Sequence, residues 1–344
     1  MVVAPYPWLE KAAATLSSMV DELPNAILLH GAPGAGGLEL GLAFAKSLLC
    51  ETPLMDGSPC GHCPGCHLVA AGTHPDLKIV VSEYIAELYD LPYTFDENES
   101  TDKKKRSRGL RIHQFRALSD FVVMTPHRGG KRIVFVYPAD RILPEAAASL
   151  LKTLEEPSNG LHFILVADDI DGVLPTIRSR SRLLRLTRPT REEALAWLST
   201  QRGVKEPEVA LAMAGGSPLE VVSAREGEQL SEKAQSALAR ALFEGKALSA
   251  NDILLAYTVD MTPPAVAQYL SRFAYDLVRV KSGLRPYYFI KEDAAMAELV
   301  ARVPLAKLLA WQEKVQQMRR SQEHPLAPTQ VFEAILLAYT ECFQ

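Results

Sequence analysis

Four of the five cysteines lie in one short stretch, CETPLMDGSPCGHCPGCH, whose second half has the pattern C-x-x-C-x-x-C. The thiols belong to Cys50, Cys60, Cys63 and Cys66. Four thiolates suit tetrahedral zinc, and two-residue gaps let consecutive sulfurs turn back to one centre. The pattern predicts a structural zinc site, because closed four-cysteine ligation leaves no position for a reacting water. An iron–sulfur cluster is the alternative, since it uses the same ligands.

A glycine-rich turn has the spacing of a phosphate-binding P-loop. In LLHGAPGAGGLELG the glycines concerned are Gly31, Gly34, Gly36 and Gly37. A working P-loop, G-x-x-x-x-G-K-[ST], places its lysine on the β/γ-phosphates and its hydroxyl on magnesium, whereas this chain has Gly37 and Leu38 at those positions. We expect a degenerate cradle that binds no cofactor tightly. Packing, or weak phosphate binding through backbone N–H groups, is its remaining use.

The strand that should carry the magnesium-binding acids also lacks them. An ATPase of this architecture needs acidic residues directly after that strand, where they hold magnesium and orient the attacking water. The candidate strand RIVFVY is followed by Pro138 and Ala139, and Asp140 is displaced by two residues. Two catalytic elements have lost their chemistry, so we do not expect this chain to hydrolyse ATP.

The elements that must position these residues form an α/β pattern in the first half of the chain. Short apolar runs, bounded by polar residues, glycine or proline, predict buried parallel strands with crossover helices between them. These runs span residues 26–30, 77–81, 132–137, 161–166 and 182–186. Further along, apolar residues recur only at helical spacing. We therefore predict an α/β domain (1–187), a small helical domain (188–225) and a helical bundle (226–344).

Composition and charge limit the class of protein. The 344 residues are 48% hydrophobic and carry a formal net charge of -4, which argues against nucleic-acid binding through bulk electrostatics. The start, MVVAPYPWLEKAAATL, lacks the features of a secretory signal. No apolar run approaches the roughly 20 residues that span a bilayer. We expect a cytoplasmic protein that contacts no membrane.

A charged segment, residues 83–108, contains an acidic block and then the basic run KKKRSR. Its composition is typical of a solvated surface loop. The alternative is a basic contact for DNA or for an acidic partner. Cys342 stands far from the other cysteines, and we expect it to be a buried thiol.

The sequence resembles the delta-prime family of bacterial DNA polymerase III clamp-loader subunits over nearly its whole length. The most specific match is LLCETPLMDGSPCGHCPGCHLVAAGTHPDL (48–77), in which the family's AGTHPD run follows the cysteines. Further matches are YPWL (6–9), LLKTLEEP (150–157) and TIRSRSRLLRL (176–186). The carboxyl-terminal part matches only by its helical pattern.

This resemblance implies an AAA+ fold, with a RecA-like P-loop domain that carries the zinc module, a small helical lid and an all-α collar for oligomerisation. It implies a stator that does not hydrolyse ATP and is a non-catalytic subunit of the DNA-directed DNA polymerase III holoenzyme. The implied partners are the gamma/tau motor subunits and the delta subunit. Through the complex, the chain would help to load the sliding clamp on primed DNA during replication.

The resemblance also implies one residue that acts on a neighbouring subunit. The family's SRC stretch supplies an arginine finger to the ATP site of the adjacent motor, and here it reads Ser179, Arg180 and Ser181. Because the guanidinium does the electrostatic work on the γ-phosphate, Arg180 is the expected finger although serine replaces the cysteine. In the lid, Leu219 occupies the place of the second sensor arginine of AAA+ motors.

The LLKTLEEP segment has two readings that are compatible. Its three leucines at helical spacing predict core contacts. Lys152, Glu155 and Glu156 would then face solvent or a neighbouring subunit.

Two other functions are consistent with the residues. An active AAA+ ATPase or helicase motor with a divergent P-loop would show ATP turnover by the isolated chain. A zinc-containing DNA-binding regulator would show salt-dependent duplex binding as a monomer, which the acidic balance of the chain disfavours.

Overall fold

The computed structural model describes residues 2–92, 106–128, 130–223, 230–245, 261–301, 303–320 and 328–343. The chain divides into two units, Met1–Glu193 and Ala194–Gln344. The charged segment 83–108 lies in part outside the described residues, because residues 93–105 are not among them.

Five parallel strands form one sheet in the first unit, in the order β2-β3-β4-β1-β5. The strands are β1 (Ala26–His30), β2 (Leu77–Val81), β3 (Arg132–Tyr137), β4 (Leu161–Ala167) and β5 (Arg182–Arg185). The prediction of a parallel α/β sheet is therefore confirmed. The runs of β1, β3 and β4 are apolar and almost wholly buried, as expected of strands covered on both faces. The edge strand β5 is mostly exposed.

The described residues of the first unit also form short α-helices. They are α1 (Glu10–Ser18), α2 (Gly37–Leu48), α3 (Pro64–Ala70), α4 (Glu83–Tyr89), α5 (Ile112–Arg116), α6 (Ser119–Val123), α7 (Pro144–Glu155) and α8 (Pro175–Arg178). Helix α2 lies close against the sheet at Gly41, where a Cβ would lie 2.6 Å from the Phe135 ring. On α7, Leu150 and Leu154 are buried in the core with Phe163, as the LLKTLEEP pattern predicts.

The second unit contains helices and no strand among its described residues. Helix α9 (Arg191–Ser199) spans the limit between the two units. The helices that follow are α10 (Pro207–Met213), α11 (Pro218–Val222), α12 (Glu232–Glu244), α13 (Pro263–Lys281), α14 (Asp293–Val300), α15 (Leu305–Arg320) and α16 (Pro328–Thr340). Phe273 of α13, Trp311 of α15 and Tyr339 of α16 pack together in its main core. The division of this unit at residue 225 stays a prediction.

Hydrogen bonds to a buried carboxyl group fix one turn of this helical unit. Asp276 is fully buried, and its carboxylate accepts the backbone N–H groups of Tyr287, Tyr288 and Phe289 at 2.8 to 2.9 Å. Because these bonds satisfy the buried carboxylate, they fix the chain between α13 and α14. Burial of the group raises the pKa of Asp276.

Within the described part of the chain, no helix combines the length and the apolar character that a bilayer span requires.

Candidate functional site

The four clustered cysteines converge on one point in the first unit. Their Sγ atoms all lie within 4.8 Å of one another, with Cys50 3.7 Å from Cys60 and 3.9 Å from Cys63. These separations are far above the disulfide bond length of about 2.05 Å, and all five cysteines, each within the described part of the chain, are free thiols. Tetrahedral zinc with Zn–S bonds of about 2.3 Å would place its sulfurs about 3.8 Å apart. The donor set therefore fits a metal ion such as zinc.

Backbone N–H groups hold the sulfurs in place. The N–H of Cys60 donates to the Cys50 sulfur, that of Cys63 to the Cys60 sulfur and that of Cys66 to the Cys63 sulfur, each at 3.3 Å. The Cys63 side chain is also the N-cap of α3. Donors aimed at sulfur favour the thiolate, which is the form that binds metal. The chain's local fold thus prepares the ligands.

The thiols differ in their ease of ionisation because their surroundings differ. The hydroxyl of Thr52 and nearby backbone N–H groups lower the pKa of Cys60 to about 5. Burial raises the pKa of Cys66 to about 12. A bound cation would favour the thiolate at both positions, since a metal-bound thiol is deprotonated.

The two histidines of the stretch are neighbours of the cluster. The Nδ1 atom of His62 lies 2.9 Å from the Cys60 carbonyl oxygen, and His67 is exposed.

The glycine of CPGC is required for packing, because a Cβ on Gly65 would lie 2.5 Å from the Leu49 carbonyl oxygen.

The AGTHPD run connects the cysteine cluster to the sheet. Asp76 is fully buried just before β2, and its carboxylate accepts the backbone N–H groups of His127 and Arg128, both at 2.8 Å. Arg128 in turn donates to Glu51 at 2.7 Å. Glu51 follows the first cysteine, so this chain of contacts fixes the cluster relative to β2. Sequence spacing could not reveal it, because Asp76 and Arg128 are far apart in the chain.

The P-loop-like turn follows β1 and is covered by the chain's own amino-terminal segment. Gly36 has a φ of 90°, and a Cβ there would lie 2.7 Å from the ring of Tyr6. The indole N–H of Trp8 donates to the Ala35 carbonyl at 2.9 Å, and the Tyr6 and Trp8 rings stack at 5.0 Å. A side chain at Gly37 would lie 2.9 Å from Val166. The glycines of the cradle thus serve close packing of protein atoms.

Three acidic side chains lie near the carboxyl ends of the strands, on the same edge of the sheet as the P-loop-like turn. Glu39 is hydrogen-bonded to Tyr6, and burial and this negative charge raise the pKa of Tyr6. After β4, Asp168 accepts the Tyr137 hydroxyl at 2.9 Å, and its N–H donates to Asp140 at 3.0 Å. Burial raises the pKa of Asp140. The Asp140 carboxyl group therefore serves as a hydrogen-bond acceptor for the backbone of Asp168.

Arg180 lies in the turn between α8 and β5. Its Nη1 donates to the Thr176 carbonyl at 3.0 Å, and its Nη2 lies 2.5 Å from Glu155 Oε1. Its side chain is 36% exposed and that of Glu155 is 51% exposed. Ser181 donates to the Ile177 carbonyl at 2.9 Å, so the serine is well accommodated in the turn. Arg178 lies 3.6 Å from exposed Asp171.

The P-loop-like turn and Arg180 lie at opposite ends of two neighbouring parallel strands. Ile27 of β1 pairs with Arg182 of β5, and His30 pairs with Arg185. The turn follows the carboxyl end of β1, whereas Arg180 precedes the amino end of β5. At a rise of about 3.3 Å per residue, the paired stretch alone separates the two edges by about 10 Å. Arg180 is therefore remote from the glycine-rich turn of its own chain.

The first unit is thus a parallel α/β sheet with a P-loop-like turn and a separate cysteine cluster. The family model described as DNA polymerase III, delta subunit, matches residues 10–190. This match spans more than half of the chain. The chain belongs to this family of DNA polymerase III subunits.

Individual relatives agree with this membership. DNA polymerase III subunit delta' of Pseudomonas aeruginosa is 34% identical over 217 residues, 62% of this chain and 59% of that protein. The subunit delta' of Escherichia coli K12 is 30% identical over 313 residues, 89% of this chain and 85% of that protein. The matches span about three fifths of the Pseudomonas aeruginosa and Haemophilus influenzae relatives, 59% and 61%.

A solved structure of a DNA polymerase III gamma subunit-related protein from Thermotoga maritima is 16% identical to the chain. The alignment covers 96% of this chain and 99% of that one, with a TM-score of 0.47.

Proposed function

We propose that the chain is a delta-prime-type stator of a DNA polymerase III clamp loader, silent toward ATP itself, that supplies Arg180 to the ATP site of an adjacent motor subunit. The observation that carries this proposal is the position of Arg180. It lies at the amino end of β5, on the edge of the sheet remote from the P-loop-like turn. An exposed arginine placed there is distant from this chain's own P-loop-like turn and is accessible to a nucleotide that another chain holds.

Three features support silence in cis. The lysine and hydroxyl of a working P-loop are absent from the sequence. The Tyr6 ring packs on Gly36, where phosphate oxygens would need to approach the backbone. Glu39 and Asp168 add negative charge near the same edge, which disfavours a polyphosphate. The rival function, an active ATPase or helicase motor, would have to overcome all three.

The guanidinium of Arg180 suits action in trans. An arginine finger stabilises the charge that develops on the transferred γ-phosphoryl group, and it supplies about 10³- to 10⁵-fold in rate. Arginine keeps its charge at all working pH values and offers five donors in a rigid fork. In this proposal Arg180 completes the site of a gamma/tau motor subunit.

The helical region after residue 187 would provide the contacts for assembly. In this proposal residues 188–225 form the lid and residues 226–344 form the collar, through which the chain joins the motor and delta subunits. ATP binding and hydrolysis at the completed site would drive loading of the sliding clamp on primed DNA. The cysteine cluster would hold zinc in a closed, structural site, with Cys50, Cys60, Cys63 and Cys66 as its four ligands.

The test is a loader reconstituted with wild-type chain or with Arg180→Ala. Arg178→Ala is the matched control, because Arg178 precedes the same turn and pairs with exposed Asp171. We expect Arg180→Ala to lower ATP turnover stimulated by clamp and primed DNA, and to lower clamp loading further, while gel filtration shows an intact complex. Only one site loses about 10³-fold in rate, so total turnover falls in part. Unchanged turnover and loading would refute the arginine finger.

A further inference from the structure

The Arg180 guanidinium is already engaged within its own chain. Nη2 lies 2.5 Å from Oε1 of Glu155, and Nη1 donates to the Thr176 carbonyl at 3.0 Å and lies 3.4 Å from the Ser179 hydroxyl. The ion pair joins the end of α7 to the turn before β5. Two of the three guanidinium nitrogens therefore have partners before any second subunit is present.

Glu155 lies at the carboxyl end of helix α7, where a negative charge does not stabilise the helix. It is the last residue of the helix, and the carboxyl end of a helix dipole favours cations. Both it and the following Glu156 are exposed. Among the described residues, Glu155 forms an ion pair with Arg180. The carboxylate therefore pairs with Arg180 although it opposes the dipole of its own helix.

We infer that Glu155 is a positioning residue that holds Arg180 in an exchangeable ion pair, which is given up when Arg180 turns to the γ-phosphate of an adjacent subunit. This inference rests on the proposed function of Arg180 as a trans-acting arginine finger. The exchange replaces one anionic partner by another, and no covalent bond changes. The bond from Nη1 to the Thr176 carbonyl can persist and serve as the pivot.

The chemistry of the two anions sets the direction of the exchange. Both partners of the ion pair are partly exposed, and water weakens such pairs. A γ-phosphoryl group offers several charged oxygens to the planar fork of arginine, and the subunit interface would exclude water from the contact. Glu155 therefore gives up Arg180 when the neighbour's nucleotide site closes on the guanidinium. In the assembled loader without clamp and primed DNA, the carboxylate holds the guanidinium and limits unproductive hydrolysis.

The test compares Glu155→Gln with Glu156→Gln in the reconstituted loader. Both substitutions remove one exposed carboxylate from adjacent positions, but only the first removes the partner of Arg180. We expect Glu155→Gln to raise ATP turnover without clamp and primed DNA about threefold, the order of effect that release of an exposed ion pair gives. Stimulated turnover should stay the same, so the ratio of stimulated to basal turnover falls. Glu156→Gln should leave that ratio unchanged.

Two outcomes would overturn the inference. A fall in turnover with Glu155→Gln, parallel to that of Arg180→Ala, would mean that Glu155 orients the finger for catalysis. An equal effect of Glu156→Gln would mean a general response to charge. The double variant Arg180→Ala/Glu155→Gln should equal Arg180→Ala, because Glu155 acts through Arg180. Activation in the double variant would contradict that route.

A second readout separates the ion pair from the arginine finger. In the isolated chain, the side-chain ¹⁵N signals of Arg180 should shift in Glu155→Gln and stay in place in Glu156→Gln. If they do, while Arg180→Ala leaves loader turnover unchanged, the ion pair exists but the proposed function fails, and the inference falls with it. If the signals do not respond to Glu155→Gln, the ion pair is absent in solution and the inference alone fails.

Discussion

The cysteine cluster and the P-loop-like turn flank the same helix, α2 (Gly37–Leu48), yet they differ in what they retain. After the helix, four sulfurs lie within 4.8 Å, with backbone donors aimed at three of them. Before the helix, the glycines persist without the lysine and the hydroxyl of a P-loop, and no acidic residue directly follows β3. The cysteine cluster has the full donor set of a metal site, and the P-loop-like turn has only the backbone path of a nucleotide site.

The difference shows that glycines in a motif can outlast the chemistry of the motif. Gly36 adopts a φ of 90° and lies under the Tyr6 ring, so its lack of a side chain is required for the fold itself. Cysteines have no comparable structural reason to converge on one point. A complete set of convergent ligands therefore supports a function more strongly than a set of spaced glycines.

Removal of one cysteine of the cluster should have the largest effect on the difference between the two regions. In Cys63→Ser the hydroxyl can still cap α3, so the loss of the thiolate is isolated. We expect zinc content to fall from about one ion per chain to near zero, and the unfolding free energy of the first unit to fall by about 3 kcal/mol or more. Metal analysis and thermal unfolding measure both.

The control for this prediction is Cys342→Ser, which removes a buried thiol outside the cluster. It should keep the zinc. Retention of zinc by Cys63→Ser would contradict the assignment of the ligands. If the wild-type chain contained iron and absorbed visible light, the bound group would be an iron–sulfur cluster and not zinc.

The second prediction compares one glycine from each region. Gly36 and Gly61 both have positive φ, but a Cβ on Gly36 meets the Tyr6 ring at 2.7 Å and a Cβ on Gly61 meets nothing within 4 Å. We expect Gly61→Ala to cost about 1 kcal/mol of stability and Gly36→Ala about 2 kcal/mol. Urea unfolding of the two variants measures the difference. Equal losses would mean that Tyr6 does not pack on the turn.

A third variant is designed to restore nucleotide binding to the P-loop-like turn. Gly37→Lys with Leu38→Thr rebuilds the P-loop pattern, but the new side chain at position 37 must displace Val166, and the Tyr6 ring still covers Gly36. We expect no detectable binding of a fluorescent ATP analogue. Adding Tyr6→Ala should strengthen binding about tenfold or more, because the backbone N–H groups become accessible. Tight binding with Tyr6 intact would show that the missing lysine and hydroxyl alone explain the silence.

The smallest effect concerns the acidic edge of the degenerate site. Burial raises the pKa of Asp140. The folded state therefore binds the proton more tightly than the unfolded state, so this group costs stability as pH rises above its unfolded pKa. Asp140→Asn keeps an acceptor for the Asp168 N–H and removes that cost. We expect a gain of about 0.5 kcal/mol at pH 7.5, small because the group is partly exposed, and almost none at pH 3. Urea unfolding at both pH values measures it.

The opposite sign would contradict this account of Asp140. If Asp140→Asn lowered the unfolding free energy relative to wild type at pH 7.5 but not at pH 3, the Asp140 carboxylate would be stabilising the folded state.

Much of this architecture can be predicted from short-range patterns. The five apolar runs predict the strands, with shifts of one residue at the ends of β4 and β5, and the cysteine spacing predicts the cluster. Other contacts depend on residues distant in sequence. Tyr6 reaches Gly36, Glu155 reaches Arg180, and Asp76 reaches Arg128 only after the sheet brings their segments together. Periodicity and spacing carry no information about such pairs.

The most direct measurement of the central claim isolates the one ATP site that Arg180 is proposed to serve. A loader would be assembled in which only the motor subunit adjacent to this chain retains a working P-loop, and single-turnover hydrolysis would be measured with wild-type chain and with Arg180→Ala. We predict that Arg180→Ala slows hydrolysis at this site about 10³-fold with ATP binding retained. Equal rates in an intact assembly would contradict action of this chain in trans.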